Sequence, residues 1–113
     1  MGPEKNYEDK IKSYLKDLNV YFLKHFGNAF TRSGIPDLIA CVNGFFMAVE
    51  VKAAGGRASM LQLHNISKIR KMGGIAFVLY PDKFDEFKKI VGLLREKQHT
   101  QAYLMQYNFD NAS

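Results

Sequence analysis

A single cysteine, Cys41, stands among the 113 residues. The chain therefore cannot staple itself with an internal disulfide or assemble a multi-thiolate zinc site, and a reducing compartment suits it. Long apolar runs are missing as well. Phe45 to Val49 stops at Glu50 and Ile75 to Tyr80 at Pro81, far short of the roughly 18 residues that a membrane-spanning helix needs. Residues 1–14 mix charged and polar side chains without an apolar stretch, so no secretory signal is expected and a cytoplasmic location is. There is no internal repeat, low-complexity tract or linker. One further absence is local: from Arg57 to Met72 there is no Asp or Glu, although Arg57, Lys68, Arg70 and Lys71 all lie there.

Hydrophobic residues make up 47% of the chain and charged residues 24%, which is the balance of a folded globular protein rather than a disordered one. At this length one domain is expected, spanning residues 1–113, with its function built into its core. The net charge of +5 admits a polyanionic partner. Residues 1–25 and 81–99 each set five cations against four acids, so most of the excess sits in the acid-free stretch.

Apolar residues recur at helical spacing at Tyr7, Ile11, Tyr14, Leu15, Leu18, Tyr21 and Phe22, predicting an amphipathic helix from Glu4 to about Phe26 that ends near Gly27. Ala29 to Arg32 is a short strand candidate. Ser33-Gly34-Ile35-Pro36 signals a turn. Asp37 to Val42 and Phe45 to Lys52 then flank Asn43-Gly44, the strongest short-range hairpin signal, since both central residues of a type I′ turn need positive φ. Both faces of these strands are apolar, and Cys41 reads as buried, so the sheet should be covered by helices on both sides. Ser59 to Gln62 matches a capping box and opens a helix to about Met72, with Gly73-Gly74 stopping it. Ile75 to Tyr80 reads as a buried strand parallel to Phe45–Lys52 through that helix. Asp82 to about Lys97 is a further helix, and Ala102 to Tyr107 an edge strand or a tail. The fold class expected is α/β, a mixed sheet between helices.

A two-residue turn at Asn43-Gly44 pairs Val42 with Phe45 and, stepping outward, Asp37 with Glu50. Two carboxylates then face each other across neighbouring strands, with Cβ atoms about 4.5–5.5 Å apart, which is destabilising unless positive charge lies between them. Lys52, two residues from Glu50, shares its face. One reading is a hard-oxygen site for Mg²⁺ or Mn²⁺ that hydrolyses phosphodiesters with help from the ammonium. The other is an ordinary pair of carboxylates with Lys52 bridged to Glu50. Gln62 lies within the arc that Leu61, Leu63, Ile66, Ile69 and Met72 describe at ~100° per residue, so it should face inward, either reaching back to Ser59 as a cap or approaching the Glu50–Lys52 strand. The opposite helix face carries His64, Lys68 and Lys71, a surface fit to track phosphates or simply a solvated one. His25 and His99 lack metal-ligand spacing, and nothing near Cys41 would make it a nucleophile.

Ser33-Gly34-Ile35-Pro36-Asp37-Leu38, Glu50-Val51-Lys52, Gly55-Gly56-Arg57 and Ser59 to Gln62 occur in this order and together resemble the VRR-NUC branch of the PD-(D/E)XK nuclease superfamily, over about Tyr7 to Tyr80. The resemblance implies a restriction-endonuclease-like core and a metal-dependent DNA endonuclease. By it, Asp37 and Glu50 are metal-binding acids, the Val51 carbonyl is a further ligand, Lys52 is the catalytic lysine and Gln62 the glutamine typical of the branch. A glutamate on the first helix is expected near the metal; Glu8 matches best and Glu4 is held in reserve. Arg32 and Ser33 at the turn and Arg57 in the loop are the implied DNA contacts, beside His64, Lys68 and Lys71. Mg²⁺ is the implied cofactor, with Mn²⁺ able to substitute.

Stand-alone members from phages and bacteria resemble homodimeric Holliday junction resolvases, so a homodimer on branched DNA is expected, in a bacterial cell or a phage-infected host. A two-fold axis would match two active sites to a four-way junction. A restriction-like or unspecific nuclease of the same fold, or a module that binds DNA without cutting it, are the competing readings.

Overall fold

The computed structural model describes residues 2–27 and 33–111. Helix α1 (Pro3–Asp17) starts with proline at its first turn and buries Tyr7, Ile11 and Leu15, spaced four apart on one stripe. It is shorter than the hydrophobic spacing predicts. Asn19 takes φ 58, the Val20 N–H reaches back to the Leu15 carbonyl at 3.0 Å and the Asn19 N–H to that of Lys16 at 2.9 Å. These are the paired bonds of a left-handed helix stop, which asparagine tolerates better than most residues. The apolar residues beyond it fit a period of two as well as one of 3.6, and they form strand β1 (Tyr21–Lys24). The strand candidate at 29–32 lies outside the described residues.

Strands β2 (Leu38–Val42) and β3 (Phe45–Val51) form the expected hairpin. Asn43 and Gly44 have φ 54 and 92, and the register runs from Val42 opposite Phe45 to Leu38 opposite Val49. Helix α2 (Met60–Lys71) carries the chain over to β4 (Ile75–Leu79), which lies parallel to β3. The sheet order is β1-β2-β3-β4, antiparallel except for the last pair. After a 3-10 turn at Pro81–Lys83 comes α3 (Phe84–Arg95), with Phe87, Ile90, Val91 and Leu94 buried. This four-stranded mixed sheet with four helices matches a restriction-endonuclease-like core.

Three expectations need correction. The last residues form neither an edge strand nor a tail but helix α4 (His99–Met105) and a 3-10 turn, Gln106–Asn111. That segment closes the β4 edge: the buried Gln106 Oε1 accepts from the Ala76 N–H at 2.8 Å, and Phe109 stacks on Phe77 at 4.2 Å between ring centroids. The inward residues Ala102, Gln106 and Phe109 fall three to four apart, a helical spacing that the intervening aromatics disguise. Second, Cys41 is exposed. Helices cover both faces of the sheet, as expected, though unequally. α1, α3 and the C-terminal segment bury one face, whereas on the other α2 packs Ile66 and Ile69 over Ala48, Ala76 and Val78 and leaves Tyr21 68% and Leu23 55% exposed on β1. Third, Leu61, Leu63 and Met72, expected to face inward, are exposed, and α2 meets the sheet through Ile66 and Ile69; one helix cannot span four strands, which lie about 4.8 Å apart.

Burial of Phe109 predicts that Phe109→Ala costs about 3 kcal/mol or more in urea unfolding, as for other buried aromatics. A loss within a few tenths of a kcal/mol would mean that the segment adds nothing to the core.

Candidate active site

Asp37 stands immediately before β2, and the turn ahead of it is fixed by close packing. Gly34 has φ +80, and a Cβ there would meet Leu61 and Asn65 of α2 at 2.8 Å, so only glycine lets the turn lie against that helix. The Asp37 carbonyl accepts from the His25 N–H at 2.8 Å, and its carboxylate Oδ2 accepts from the Val51 N–H, also at 2.8 Å. Extending the hairpin register one step beyond Leu38 and Val49 sets Asp37 across from Glu50, as the turn arithmetic requires.

Glu50 is 2% exposed. Its Oε2 accepts from the Gln62 side-chain amide at 2.9 Å and lies 3.3 Å from the Lys52 ammonium. Its Oε1 is buried with no hydrogen-bond partner among the described residues. Burial first, then the negative charge of Asp37, push this carboxyl up from its ordinary 4.5 to about 7, against the opposing pull of Lys52.

Gln62 performs both tasks that its position suggests. Its carbonyl Oε1 accepts from the Ser59 N–H at 2.8 Å while the Ser59 hydroxyl accepts from the Gln62 N–H at 3.1 Å, completing the capping box. The other end of the same amide holds Glu50. One amide thus fixes the start of α2 and the rotamer of an acid on β3.

Of the two first-helix acids, Glu8 is buried and Glu4 exposed. Glu8 meets the cluster through a residue that the sequence pattern hid. Lys24, at the end of β1, places its ammonium 2.6 Å from Glu8 Oε1 and 3.6 Å from Asp37 Oδ1. Read as the tail of a long helix, Lys24 had no reason to approach an acid on another element; a helix stop at Asn19 was the signal that would have put it on a strand beside Leu38. Lys12 and Lys5 also surround Glu8, at 3.5 and 3.9 Å. Among the described residues no three Asp, Glu, His or Cys side chains converge closely enough to hold one ion. The ready donors are the Asp37–Glu50 pair, and Mg²⁺ commonly binds through one or two carboxylates with water and substrate phosphates completing its shell. The unpartnered, buried Oε1 and the all-oxygen donor set fit such an ion.

The expected DNA contacts are distributed around this centre. Ser33 and Arg57 are exposed in the loops before β2 and after β3, and His64, Lys68 and Lys71 are exposed on α2. Arg32 lies outside the described residues. Arg70, one of the cations of the acid-free stretch, is not part of a free positive field: its guanidinium holds Asp110 at 2.8 and 2.9 Å and the Ala76 carbonyl at 2.8 Å and lies over the Tyr107 ring. The acid that neutralises it is forty residues away in the chain. The loop carrying Arg57 is anchored by a relay in which the Tyr80 hydroxyl donates to the Gly56 carbonyl at 2.7 Å and the Tyr7 hydroxyl to the Tyr80 carbonyl at 2.8 Å.

This sheet end gathers two acids, a lysine and a glutamine, with exposed cations in the neighbouring loops and on α2. In a comparison with known families, residues 6–82 match the VRR-NUC domain. The chain belongs to the VRR-NUC family, a nuclease family. A search of curated proteins gives no match. Among the described residues no helix is long and apolar enough to cross a membrane.

The raised Glu50 value has a consequence for stability. Between 4.5 and about 7 the folded protein keeps a proton on Glu50 that the unfolded chain releases, so this group's contribution is most favourable below that window and is lost as pH rises through it. In chelator, Glu50→Gln should therefore gain stability relative to the parent as pH is raised from 4.5 to beyond 7. Thermal melts of the two proteins at matched pH check this, and a constant difference would contradict it.

Proposed function

We propose that this protein is a divalent-metal-dependent endodeoxyribonuclease, working as a homodimer with a preference for four-way DNA junctions. The observation that carries the proposal is the Asp37–Glu50 pair facing across the hairpin end, with Glu50 Oε1 buried and unpartnered among the described residues. Asp37, Glu50 and the Val51 carbonyl would hold Mg²⁺ or Mn²⁺, and Glu8 is linked to Asp37 through the Lys24 ammonium. A bound divalent ion supplies polarisation of the phosphoryl group and a more acidic water.

The remaining work falls to the chain itself. Lys52, mostly buried against Glu50, is placed to orient the attacking water and to offset charge developing on the phosphate. Gln62 keeps Glu50 in one rotamer, which preserves the spacing of the acid pair. Arg57 in the loop after β3, His64, Lys68 and Lys71 on α2, and Ser33 in the turn before β2 are exposed and would contact the DNA backbone.

For the dimer, the support is the bare apolar face of Tyr21, Leu23 and Phe46, since a contiguous apolar surface of this kind is more often an interface than a solvated one. Two sites related by a two-fold axis would suit a junction with paired strands to cut.

The experiment is to incubate the protein with linear, flap and four-way DNA, with and without Mg²⁺. Cleavage should require the metal and be fastest on the junction. Asp37→Asn should lower the rate roughly a hundredfold or more while keeping the fold and DNA binding. Equal rates on all three substrates would leave an unspecific nuclease, binding without cutting a retired one, and full activity in Asp37→Asn would remove the mechanism.

A further inference from the structure

Each acid of the site has a lysine, but the lysines are not equivalent. Lys52 answers Glu50 alone. Lys5 and Lys12 bridge Glu8 and Asp9 within one helix. Lys24 is the one lysine among the described residues whose ammonium touches acids on two separate elements, Glu8 of α1 and Asp37 before β2. It therefore sits where an ion shared by those two carboxylates would sit. With Glu8 7% and Lys24 22% exposed at the side chain and 2.6 Å between them, the bond is short, charge-assisted and poorly screened.

We propose that Lys24 is a resident counter-cation: it holds Glu8 and Asp37 together in the metal-free protein and is displaced when a divalent ion binds. This rests on the metal-dependent reading above and adds to it a competitor built into the chain. A single charge on a flexible four-carbon stem can leave without moving the backbone, and the Phe26 ring, 5.8 Å from the ammonium, gives it a second resting place outside the acids. Glu8 retains Lys5 and Lys12 when Lys24 departs, whereas Asp37 retains no other lysine among the described residues. The acid that most needs replacement charge is the one facing Glu50. Lys24 is accordingly a positioning residue: it keeps the acids from repelling each other apart before the ion arrives, and it subtracts from the affinity for that ion.

The test is a calorimetric titration of the full chain with Mn²⁺, paired with thermal melts in chelator and in Mn²⁺, for the parent, Lys24→Met, Lys24→Arg and Asp37→Asn. Lys24→Met should bind Mn²⁺ at least roughly fivefold more tightly, the lower end of ordinary coupling between sites. It should melt lower than the parent in chelator and gain more from Mn²⁺, and Lys24→Arg should return both values toward the parent. A lysine serving only as structural glue would lower both melts equally and leave Mn²⁺ affinity unchanged. That result, or weaker binding in Lys24→Met, overturns the proposal while Mn²⁺ binding that Asp37→Asn abolishes keeps the metal reading intact. Absence of Mn²⁺ binding by the parent overturns both. Should Lys24→Met not fold, lysine ammonium NMR of the parent decides: the Lys24 signal should be protected without Mg²⁺ and merge with those of exposed lysines when Mg²⁺ is added, and a signal that Mg²⁺ does not move overturns the proposal.

Discussion

Two negative charges placed opposite each other at the end of a hairpin are the constraint around which the rest of this molecule is arranged. Nothing in the backbone forbids Asp37 and Glu50 from turning away into water, yet both are held. Asp37 accepts the Val51 N–H, Glu50 accepts the Gln62 amide, and lysines stand beside each. Burying charge is costly unless every lone pair is answered. Here one is left over, on Glu50 Oε1, and half-satisfied polar groups of this kind persist in native proteins where function requires them.

Much of that centre was legible from spacing. The Asn43-Gly44 turn fixes the register, the register fixes the acid pair, and alternation puts Lys52 beside Glu50. Gln62 was legible as a cap and as an inward residue; that a single amide does both follows only once β3 and α2 are seen to meet. Lys24 escaped because Tyr21 and Phe22 satisfy helical and strand periodicity alike, and the deciding residue was Asn19, whose left-handed conformation no hydrophobic pattern reports. Arg70 escaped for a different reason. Local charge composition cannot count an acid that arrives from residue 110, and the C-terminal segment delivering it was itself disguised as a strand. The helix stop at Asn19 brings Lys24 to Glu8 and Asp37, and the late helix brings Asp110 to Arg70.

The fold shows why its two sheet edges are treated differently. At β4 the outer N–H of Ala76 is taken by Gln106 and the strand is backed by Phe109, which removes an edge that would otherwise invite pairing with another chain. β1 has no comparable cover from α2, and its solvent-side residues are Tyr21 and Leu23. An exposed apolar strand at a sheet edge is a poor arrangement for a monomer, because it risks aggregation without contributing stability. It becomes sensible if the same face is buried in an assembly.

Gln62 joins the start of α2 to the acid pair. A glutamate at the same place would complete the capping box equally well, since its carboxylate also accepts from the Ser59 N–H. It would then point its other oxygen at Glu50 and add a further negative charge beside a carboxyl that burial first, and Asp37 second, already push to about 7. An amide differs by offering an acceptor at one end and a donor at the other, and both ends are used. The preference for glutamine over glutamate at the helix start is therefore set by the acid it faces rather than by the helix it caps.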